Sequence, residues 1–360
     1  MALVAKRVIV GMSGGVDSSV AALLMRDAGY DVLGVTMQIY SGKPMSGPVA
    51  DSCYGPGEQS DIEHARAVCA TLGIPYTVID LRDAYKRLIL DYARDEYMAG
   101  RTPNPCVLCN QKMKFGMMLD RAGSDAGIVF DLFATGHYAR VVQVPETGRW
   151  AIRTAADPRK DQSYFLCMLT QEQLSCVVFP LGEKTKPEVR EIARAAGLVT
   201  HDRPESQDFA AGGYRAVVDA ADRPGAIVDG DGRVIGRHNG IWGYTVGQRK
   251  GLGIGGGAPL YVTSLDAATN TIVAGPESSL YRAGLVARDV NWAAIVAPTE
   301  PIRVAVKIRY RNAAVPATAT ALDDGRVRIV FDEPQRAIAR GQWAVLYDGD
   351  ILVAGGVIES

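Results

Sequence analysis

A glycine- and serine-rich segment joins the first apolar run of the chain to the first helical pattern. Its residues are Gly11, Met12, Ser13, Gly14, Gly15, Val16, Asp17 and Ser18. Glycines let a backbone approach an anion closely, and a helix N-terminus presents free N–H groups at the positive end of its dipole. The segment lacks the Gly-Lys-Ser/Thr of a Walker A motif. It therefore predicts a different kind of phosphate cradle, in which Asp17 could hold Mg²⁺.

Three of the six cysteines lie in segments suited to thiol chemistry. Cys106 and Cys109 form a Cys-x-x-Cys pair after the proline-rich segment 101–105, and Cys53 lies in the Gly- and Pro-rich segment 41–60. We expect Cys109 at the start of a helix, where the dipole would lower the pKa of its thiol. A second pair that would complete a zinc site is missing from the sequence. The pattern leaves open a redox pair, a thiolate nucleophile, or an iron–sulfur cluster on Cys53, Cys106 and Cys109.

The other cysteines have apolar surroundings. Cys69 lies on the apolar stripe of a predicted helix, and Cys167 and Cys176 lie in the apolar stretch 164–179. Free cysteine behaves as a small hydrophobic residue in such positions. We expect these three in the core.

Alternating strands and helices must position these groups. Apolar runs predict strands over 7–11, 32–39, 76–80 and 131–135, and a 3.6-residue period predicts helices over 18–28, 61–72 and 84–99. Such alternation predicts an α/β fold with a doubly wound parallel sheet. Ligands of these sheets bind beyond the carboxyl ends of the strands. We therefore expect Met37, Gly136 and His137 beside the glycine-rich loop.

The pattern changes after about residue 205, where helical periodicity fades and short strands separated by turns follow. It predicts a small antiparallel β-domain, with a barrel at the C-terminal end. We divide the chain into a catalytic domain (1–205), a small central domain (206–284) and a β-barrel (285–360). Lys307, Arg309 and Arg311 alternate along one predicted strand of the barrel, so they would share one face. Such a row could contact phosphates or protect a sheet edge.

Composition sets limits on partners and location. The chain carries 39 basic and 40 acidic residues, a net charge of −1, so its overall charge does not attract nucleic acid. No apolar run reaches the roughly 18 residues of a membrane helix, and the N-terminus does not resemble a signal peptide. We expect a cytoplasmic protein without a membrane partner, whose cysteines are mostly reduced.

Ten segments, in order along the chain, resemble the tRNA-specific 2-thiouridylases, a family that thiolates the wobble uridine at position 34 of tRNA. They are Gly11–Ser19, Gly100–Asn110, Lys114-Phe115, Ala134–Arg140, Lys160–Leu166, Leu181–Arg190, Gly197–Thr200, Thr245–Ile254, Val306–Arg311 and Gly341–Ala344. The resemblance implies an N-terminal ATP-pyrophosphatase domain, a small central domain and a C-terminal β-barrel. It implies adenylation of the uridine 2-oxygen by ATP, followed by replacement of that oxygen with sulfur.

The resemblance also implies roles for particular residues. ATP, with Mg²⁺, would bind Gly11 to Ser18, Met37 and Gly136, and Cys109 would be the catalytic cysteine. The target base would contact Asn104, Pro105 and Cys106. The anticodon region of tRNA would contact His137, Lys160, Asp161, Gln162, Arg309, Tyr310 and Gln342. A sulfur donor protein or sulfide would supply the sulfur.

The chain departs from the family at its cysteines. In much of the family an aspartate occupies the position of Cys106, and a second catalytic cysteine follows a Glu-Ser-Gln-Asp run. Here Glu205, Ser206, Gln207 and Asp208 lead directly into Phe209 and Ala210. Cys106 could replace the missing cysteine, as persulfide carrier or as disulfide partner of Cys109, or a [4Fe-4S] cluster on Cys53, Cys106 and Cys109 could hold the sulfide. The rival functions are another adenylating ATP pyrophosphatase, such as a small-molecule ligase or amidotransferase, and a non-catalytic tRNA-binding or iron–sulfur module.

Overall fold

A computed structural model describes residues 6–42, 52–125, 127–204, 208–211, 213–219, 221–255 and 257–360. The chain forms two compact units. The first contains Met1–Ile89, Cys106–Gly213 and Asp350–Leu352, and the second contains Leu90–Pro105, Tyr214–Gly349 and Val353–Ser360. Within the described ranges, every helix is too short or too polar to cross a membrane. The predicted domain boundaries at 205 and 284 stay predictions.

The first unit holds the predicted strands and several short ones. They are β1 (Arg7–Gly11), β2 (Asp31–Gln38), β3 (Ser52–Tyr54), β4 (Tyr76–Asp80), β5 (Leu132–Thr135), β6 (Ala139–Gln143), β7 (Trp150–Thr154), β8 (Val177–Val178) and β9 (Asp208–Ala210). The helices of the chain are α1 (Val16–Asp27), α2 (Glu58–Leu72), α3 (Arg82–Tyr85), α4 (Asp91–Met98), α5 (Pro105–Leu108), α6 (Met118–Ser124), α7 (Gln171–Ser175), α8 (Lys186–Ala195) and α9 (Gly213–Val218). π-Helices at Lys86–Leu90 and Cys109–Met117 extend α3 and α5.

A five-stranded parallel sheet forms the centre of the first unit, with strand order β4-β2-β1-β5-β8. The chain moves from β1 to β2 and β4 on one side, then crosses to β5 on the other. This order confirms the doubly wound parallel sheet. Val8, Ile9 and Val10 are fully buried, as expected for a strand at the centre of a parallel sheet. Gly11 lies opposite Thr135 of β5, so the loops after β1 and β5 leave the sheet at the same edge, where the strand order reverses.

The second unit contains two β-sheets. Its strands are β10 (Gly225–Val228), β11 (Val234–His238), β12 (Tyr261–Asp266), β13 (Thr271–Gly275), β14 (Tyr281–Trp292), β15 (Ile302–Lys307), β16 (Val315–Ala321), β17 (Val327–Arg336), β18 (Trp343–Asp348) and β19 (Ile351–Ile358). The first four form one sheet in the order β11-β10-β13-β12. The remaining six form an antiparallel barrel, which closes where Ala287 of β14 pairs with Ile358 of β19. The predicted barrel is confirmed.

The predicted row of cations in the barrel is wrong. β15 ends at Lys307, and its pairing with β16 stops at Val306 and Val315. The chain then turns, and the N–H of Asn312 donates to the Arg309 carbonyl at 3.2 Å. Arg309 and Arg311 therefore lie in a turn and do not alternate with Lys307 along one strand. The alternating charges in the sequence did not show that β15 stops pairing with β16 at Val306.

Candidate active site

The glycine-rich loop is held in shape by its own serines. Ser18 Oγ accepts from the Ser13 N–H at 3.2 Å and donates to the Gly15 carbonyl at 3.1 Å. Ser19 Oγ donates to the same carbonyl at 2.8 Å. At the start of the loop, the Met12 N–H donates to Val35 of the neighbouring strand at 2.8 Å. The loop is thus fixed before any ligand binds, with α1 beginning at Val16.

Two glycines are required by close packing around this loop. Gly14 has φ +73°, and a Cβ there would lie 2.3 Å from the Asp61 carbonyl oxygen. A Cβ on Gly136, which directly follows β5, would lie 2.7 Å from the backbone nitrogen of Ser18. The loops after β1 and β5 therefore touch backbone to backbone. This is the arrangement that a phosphate cradle at a helix N-terminus needs.

Asp17 forms an ion pair with a buried lysine. Lys186 Nζ lies 2.7 Å from Asp17 Oδ1 and 2.8 Å from Oδ2, and the Tyr138 hydroxyl donates to Oδ1 at 2.8 Å. Lys186 is only 7% exposed. Three of the roughly four acceptor positions of the carboxylate are therefore used. Asp17 as arranged is a poor fit for a Mg²⁺ ligand, because the ammonium group lies where a second cation would have to bind.

Sequence reasoning missed Lys186 and Tyr138 as site residues. One signal for Lys186 was present, since Thr185 and Glu188 form a capping box that places Lys186 at the first turn of α8. A capping box shows where a helix begins, but it does not show which residue of another element contacts that helix. The contact between Lys186 and Asp17 spans 169 residues and exists only in the fold.

Arg203 was also missed. Its guanidinium donates to the Gly14 carbonyl at 2.7 Å and pairs with Asp61 at 2.5 Å. Just before it in the chain, the Thr200 hydroxyl donates to Ser19 Oγ at 3.0 Å. The segment after α8 therefore stabilises the glycine-rich loop and the start of α1 through hydrogen bonds to Gly14 and Ser19.

His137 lies in an aromatic environment after β5. Its Nδ1 is 2.7 Å from the Thr135 hydroxyl, and its ring packs against Phe115 and Phe179, each with ring centroids 5.9 Å away. Burial holds the pKa of His137 well below its ordinary value, and nearby Lys114 lowers it further. His137 is thus a neutral imidazole that can hydrogen-bond but cannot pair with phosphate as a cation.

Met37 lies near the end of β2, where the sheet edge opens. Gly11 lies opposite Val35, so Met37 is two residues beyond the end of β1. A cavity of about 430 Å³ opens at this end of β2, and Gln38, Tyr40 and Glu58 are among its lining residues. The half-buried Met37 is therefore at the edge where α/β sheets bind ligands.

The thiols of the Cys-x-x-Cys pair are less acidic than the sequence predicted. α5 begins at Pro105, so Cys109 lies beyond the helix start, as the first residue of the following π-helix. Burial raises the pKa of Cys109 to about 11 and that of Cys106 to about 12. Lys114 opposes both shifts without cancelling them. The prediction of a lowered pKa at Cys109 is wrong, because Cys109 lies beyond the helix start and burial raises its pKa.

Cys53 lies close enough to the pair to act on it electrostatically. It is exposed on β3, and its charge raises the pKa of both Cys106 and Cys109. In the described part of the chain, however, no three His, Cys, Asp or Glu side chains are arranged as a metal-binding group. The donor atoms as they stand therefore do not fit a cluster.

All six cysteines lie in described parts of the chain, and all are free thiols. Cys69 and Cys167 are 1% and 0% exposed, which confirms their predicted place in the core. Cys176 is half-buried and is not a core residue. It follows α7, where its Sγ donates to the Gln173 carbonyl at 3.4 Å.

The residues that the resemblance implies for tRNA contact differ in how they are held in the first unit. Asp161 is 6% exposed, and its carboxylate accepts from the Ala155 N–H at 3.1 Å and from the Ser163 hydroxyl at 2.8 Å. Gln162 Oε1 accepts from the Tyr138 N–H at 2.9 Å. Lys160, by contrast, lines a surface cavity. Asp161 and Gln162 thus shape the chain around Lys160.

In the second unit, barrel residues hold the predicted target-base loop. The Thr102 N–H donates to the Arg340 carbonyl at 2.7 Å, and Gln342 Nε2 donates back to the Thr102 carbonyl at 2.9 Å. The Trp343 indole N–H donates to the Asn104 carbonyl at 3.3 Å. Gln342 therefore positions the backbone that leads to Asn104 and Pro105.

Arg309 is also used within the second unit. One of its terminal nitrogens, Nη2, donates to the Val246 carbonyl at 3.1 Å and to the Ala337 carbonyl at 2.8 Å. Its neighbour Tyr310 is half-buried in the same turn. Arg309 thus ties the turn after β15 to the basic segment 244–254. The direct tRNA contacts of Arg309, Tyr310 and Gln342 stay predictions.

The described residues do not include 205–207 of the Glu-Ser-Gln-Asp run or 43–51 of the segment that carries Cys53. The absence of a cysteine directly after that run is a fact of the sequence.

Comparison with known proteins assigns the three parts of the chain. Residues 6–210 match a family model described as the tRNA methyl transferase HUP domain, residues 218–276 its PRC-barrel domain, and residues 282–358 the aminomethyltransferase beta-barrel domain. A tRNA-specific 2-thiouridylase from Synechococcus sp. is 47% identical, over 98% of this chain and 97% of the relative. One from Clostridium perfringens is 44% identical, over 99% of both chains. Among solved structures, NMN synthetase from Francisella tularensis matches with a TM-score of 0.33 at 15% identity, over 56% of this chain and 66% of that chain.

Proposed function

This chain belongs to the tRNA-specific 2-thiouridylase family, and on that premise we propose that it adenylates the 2-oxygen of the wobble uridine in tRNA and then replaces that oxygen with sulfur. One observation of the structure carries the first half of the proposal. The loop from Gly11 to Ser18 meets Gly136 backbone to backbone, at the point where the strand order reverses. Such a cradle binds the phosphates of a nucleotide.

In the proposed first step, the uridine 2-oxygen attacks the α-phosphate of ATP and pyrophosphate leaves. Negative charge moves onto the departing phosphates, and N–H groups at the start of α1 would stabilise it. Asp17 holds the Lys186 ammonium beside this helix start, at 2.7 and 2.8 Å. Lys186 would thus supply positive charge at the site without a change in fold. Mg²⁺ would accompany ATP and neutralise its phosphates, whereas Asp17, engaged by Lys186 and Tyr138, does not fit as its ligand.

In the proposed second step, sulfur travels on the Cys-x-x-Cys pair. Residues three apart on a helix share a face, so Cys106 and Cys109 are neighbours. The donor protein would place a sulfur on Cys109 as a persulfide, whose outer sulfur attacks C2 of the adenylated uridine and expels AMP. The Cys106 thiolate then attacks Cys109 Sγ. The bond to the outer sulfur breaks, thiouridine leaves, and a Cys106–Cys109 disulfide remains for a dithiol reductant to reduce.

The rival sulfur carrier is an iron–sulfur cluster on Cys53, Cys106 and Cys109. Their present arrangement does not fit a metal, so the steps above use no cluster. The replacement Cys53→Ala separates the two routes. We expect thiolation to survive this change if the dithiol route is correct, and to be lost if a cluster carries the sulfide.

Pyrophosphate release and nucleoside mass spectrometry test the function as a whole. We expect the chain to release pyrophosphate from ATP only when tRNA is added, and to give 2-thiouridine when a sulfur source is also present. Cys109→Ser is the informative variant, since it should keep the tRNA-dependent release and lose the 2-thiouridine. Release without tRNA would favour a small-molecule ligase or amidotransferase. No release under any condition would contradict adenylation.

A further inference from the structure

A positively charged groove follows helix α8 in the first unit. It has a volume of about 590 Å³. Its cationic lining residues are Arg159, Lys160, Lys186, Arg190 and Arg194, against the two carboxylates Asp157 and Glu191. The lining therefore carries three net positive charges, in a chain whose overall net charge is −1. We call this feature the α8 groove.

The spacing of three of these cations follows from the helix. Lys186, Arg190 and Arg194 are each four residues apart on α8, so they form one stripe along one face. At a rise of 1.5 Å per residue, the stripe is about 12 Å long. A nucleic acid strand in a duplex carries a phosphate every ~3.4 Å along its axis. The stripe is thus long enough to face several consecutive phosphates, and it exceeds what a single phosphate needs.

Lys186 and Arg190 are held by contacts within the protein, whereas Arg159 and Arg194 can exchange their present partners for a ligand. Lys186 pairs with Asp17, and Arg190 donates to the His201 carbonyl at 3.1 Å. The side chains of Arg159 and Arg194, in contrast, are 83% and 54% exposed. The ion pairs of Arg194 are exposed at both partners and contribute little stability, so a phosphate can replace those carboxylates. Asp157, the partner of Arg159, is only 3% exposed, but it also accepts from the Arg159 backbone N–H at 3.0 Å, a bond that stays when the guanidinium turns to a phosphate.

The partners of the exposed arginines support this exchange. Arg194 pairs with Glu191 at 3.0 Å and with Asp202 at 3.8 Å, and both carboxylates are more than 70% exposed. Arg159 approaches Asp157 only to 3.6 Å. Arginine binds phosphate through two parallel N–H bonds, which are stronger than the exposed pairs of Arg194 and the 3.6 Å contact of Arg159.

We propose that the α8 groove binds the phosphodiester backbone of the tRNA substrate, with Arg159 and Arg194 as direct phosphate contacts. The proposal rests on the function proposed above, because it takes tRNA as the ligand. Lys186 belongs both to the groove and to the ion pair with Asp17 beside the glycine-rich loop. RNA held along α8 is therefore held next to the predicted ATP site. The groove also explains how a chain without net positive charge attracts a polyanion.

The test is the salt dependence of tRNA binding. Each phosphate contact contributes about 0.7–0.9 to the slope of log affinity against log salt concentration. We expect Arg159→Ala and Arg194→Ala each to lower this slope by about that amount, and to weaken binding about five- to eightfold at 0.1 M salt. The double variant should lose about twice the slope. Arg194→Lys, which keeps the charge, should retain most of it.

Arg121→Ala is the matched control. Arg121 lies on α6 of the same unit, is 51% exposed, and pairs with a carboxylate four residues away, as many surface arginines do. It lies outside the groove, so its removal should leave the slope unchanged. ATP affinity and the unfolding temperature should be the same in all five variants, which excludes a general loss of fold.

Three outcomes would overturn the proposal. If both groove variants keep the wild-type slope while the wild type binds and thiolates tRNA, the groove assignment fails and the proposed function stands. If the slope is unchanged but inhibition by pyrophosphate weakens, the groove binds the released product and RNA is the wrong ligand. If the wild type does not bind tRNA at all, the function and the groove fail together.

Discussion

The reactivity of Cys109 gives a direct test of how the structure sets its chemistry. Burial raises the pKa of this thiol from 9.0 to about 11. At pH 8, about one thiol in a thousand is ionised at the higher value, compared with about one in ten at the ordinary value. Because only the thiolate reacts, we expect iodoacetamide to alkylate Cys109 about 100-fold more slowly in the folded chain than in the unfolded chain. The rate should rise about tenfold per pH unit until the pH approaches the pKa.

The assay is a time course of alkylation from pH 7 to pH 10, with each cysteine-containing peptide quantified by mass spectrometry. The exposed Cys53 in the same sample reports that the reagent is active. Limited access would slow the reaction equally at every pH, whereas a raised pKa changes the pH at which the rate levels off. A rate at Cys109 that levels off below pH 9 would refute the argument from burial.

Two lysines on the same π-helix provide the matched pair of variants. Lys114 lowers the pKa of both Cys106 and Cys109. We therefore expect Lys114→Ala to raise the pKa of Cys109 further and to slow its alkylation. Lys112 is exposed on the same helix and does not contribute to either shift, so Lys112→Ala should leave the rate unchanged. Equal effects of the two replacements would show that helix stability, and not charge, governs the thiol.

Three further predictions concern the supporting structure. Gly136→Ala should weaken ATP binding in a titration, because its Cβ would lie 2.7 Å from the Ser18 nitrogen, while Gly123→Ala, with open space around it, should not. Gln342→Ala should lower the unfolding temperature, because it removes the side-chain bonds to the carbonyls of residues 102 and 103. Each kcal/mol of stability lost should lower that temperature by about 2–4 °C. An unchanged unfolding temperature would mean that Gln342 does not stabilise the fold and would leave tRNA contact as its role. The lowered pKa of His137 predicts no NMR titration step of its ring between pH 6 and 8. The free energy of unfolding should fall as the pH drops below about 6.5, because the unfolded chain binds a proton at this histidine and the folded chain does not.

Local patterns in the sequence predicted the first half of the fold well. The strands at 7–11 and 76–80 have the predicted bounds, and the helix predicted over 61–72 begins three residues earlier, at Glu58. These elements follow from apolar periodicity, which acts over a few residues. The end of β15 at Lys307 was missed because it depends on where the partner strand stops. Strand pairing depends on residues far apart in the chain, so the residues around Lys307 alone do not show where the strand ends.

The glycine-rich loop, the order of the domains and the family could be recognised from the sequence, because each is carried by contiguous residues. The contact of Lys186 with Asp17 across 169 residues, and the bond from Arg203 to Gly14, became visible in the folded chain. The tertiary structure also reversed the expected acidity of Cys109. The sequence predicted Cys109 at a helix start, whereas α5 begins at Pro105. The pKa depends in addition on how much water the fold removes from around the sulfur. Burial is set by all the neighbours together, and these are brought together only by the folded chain.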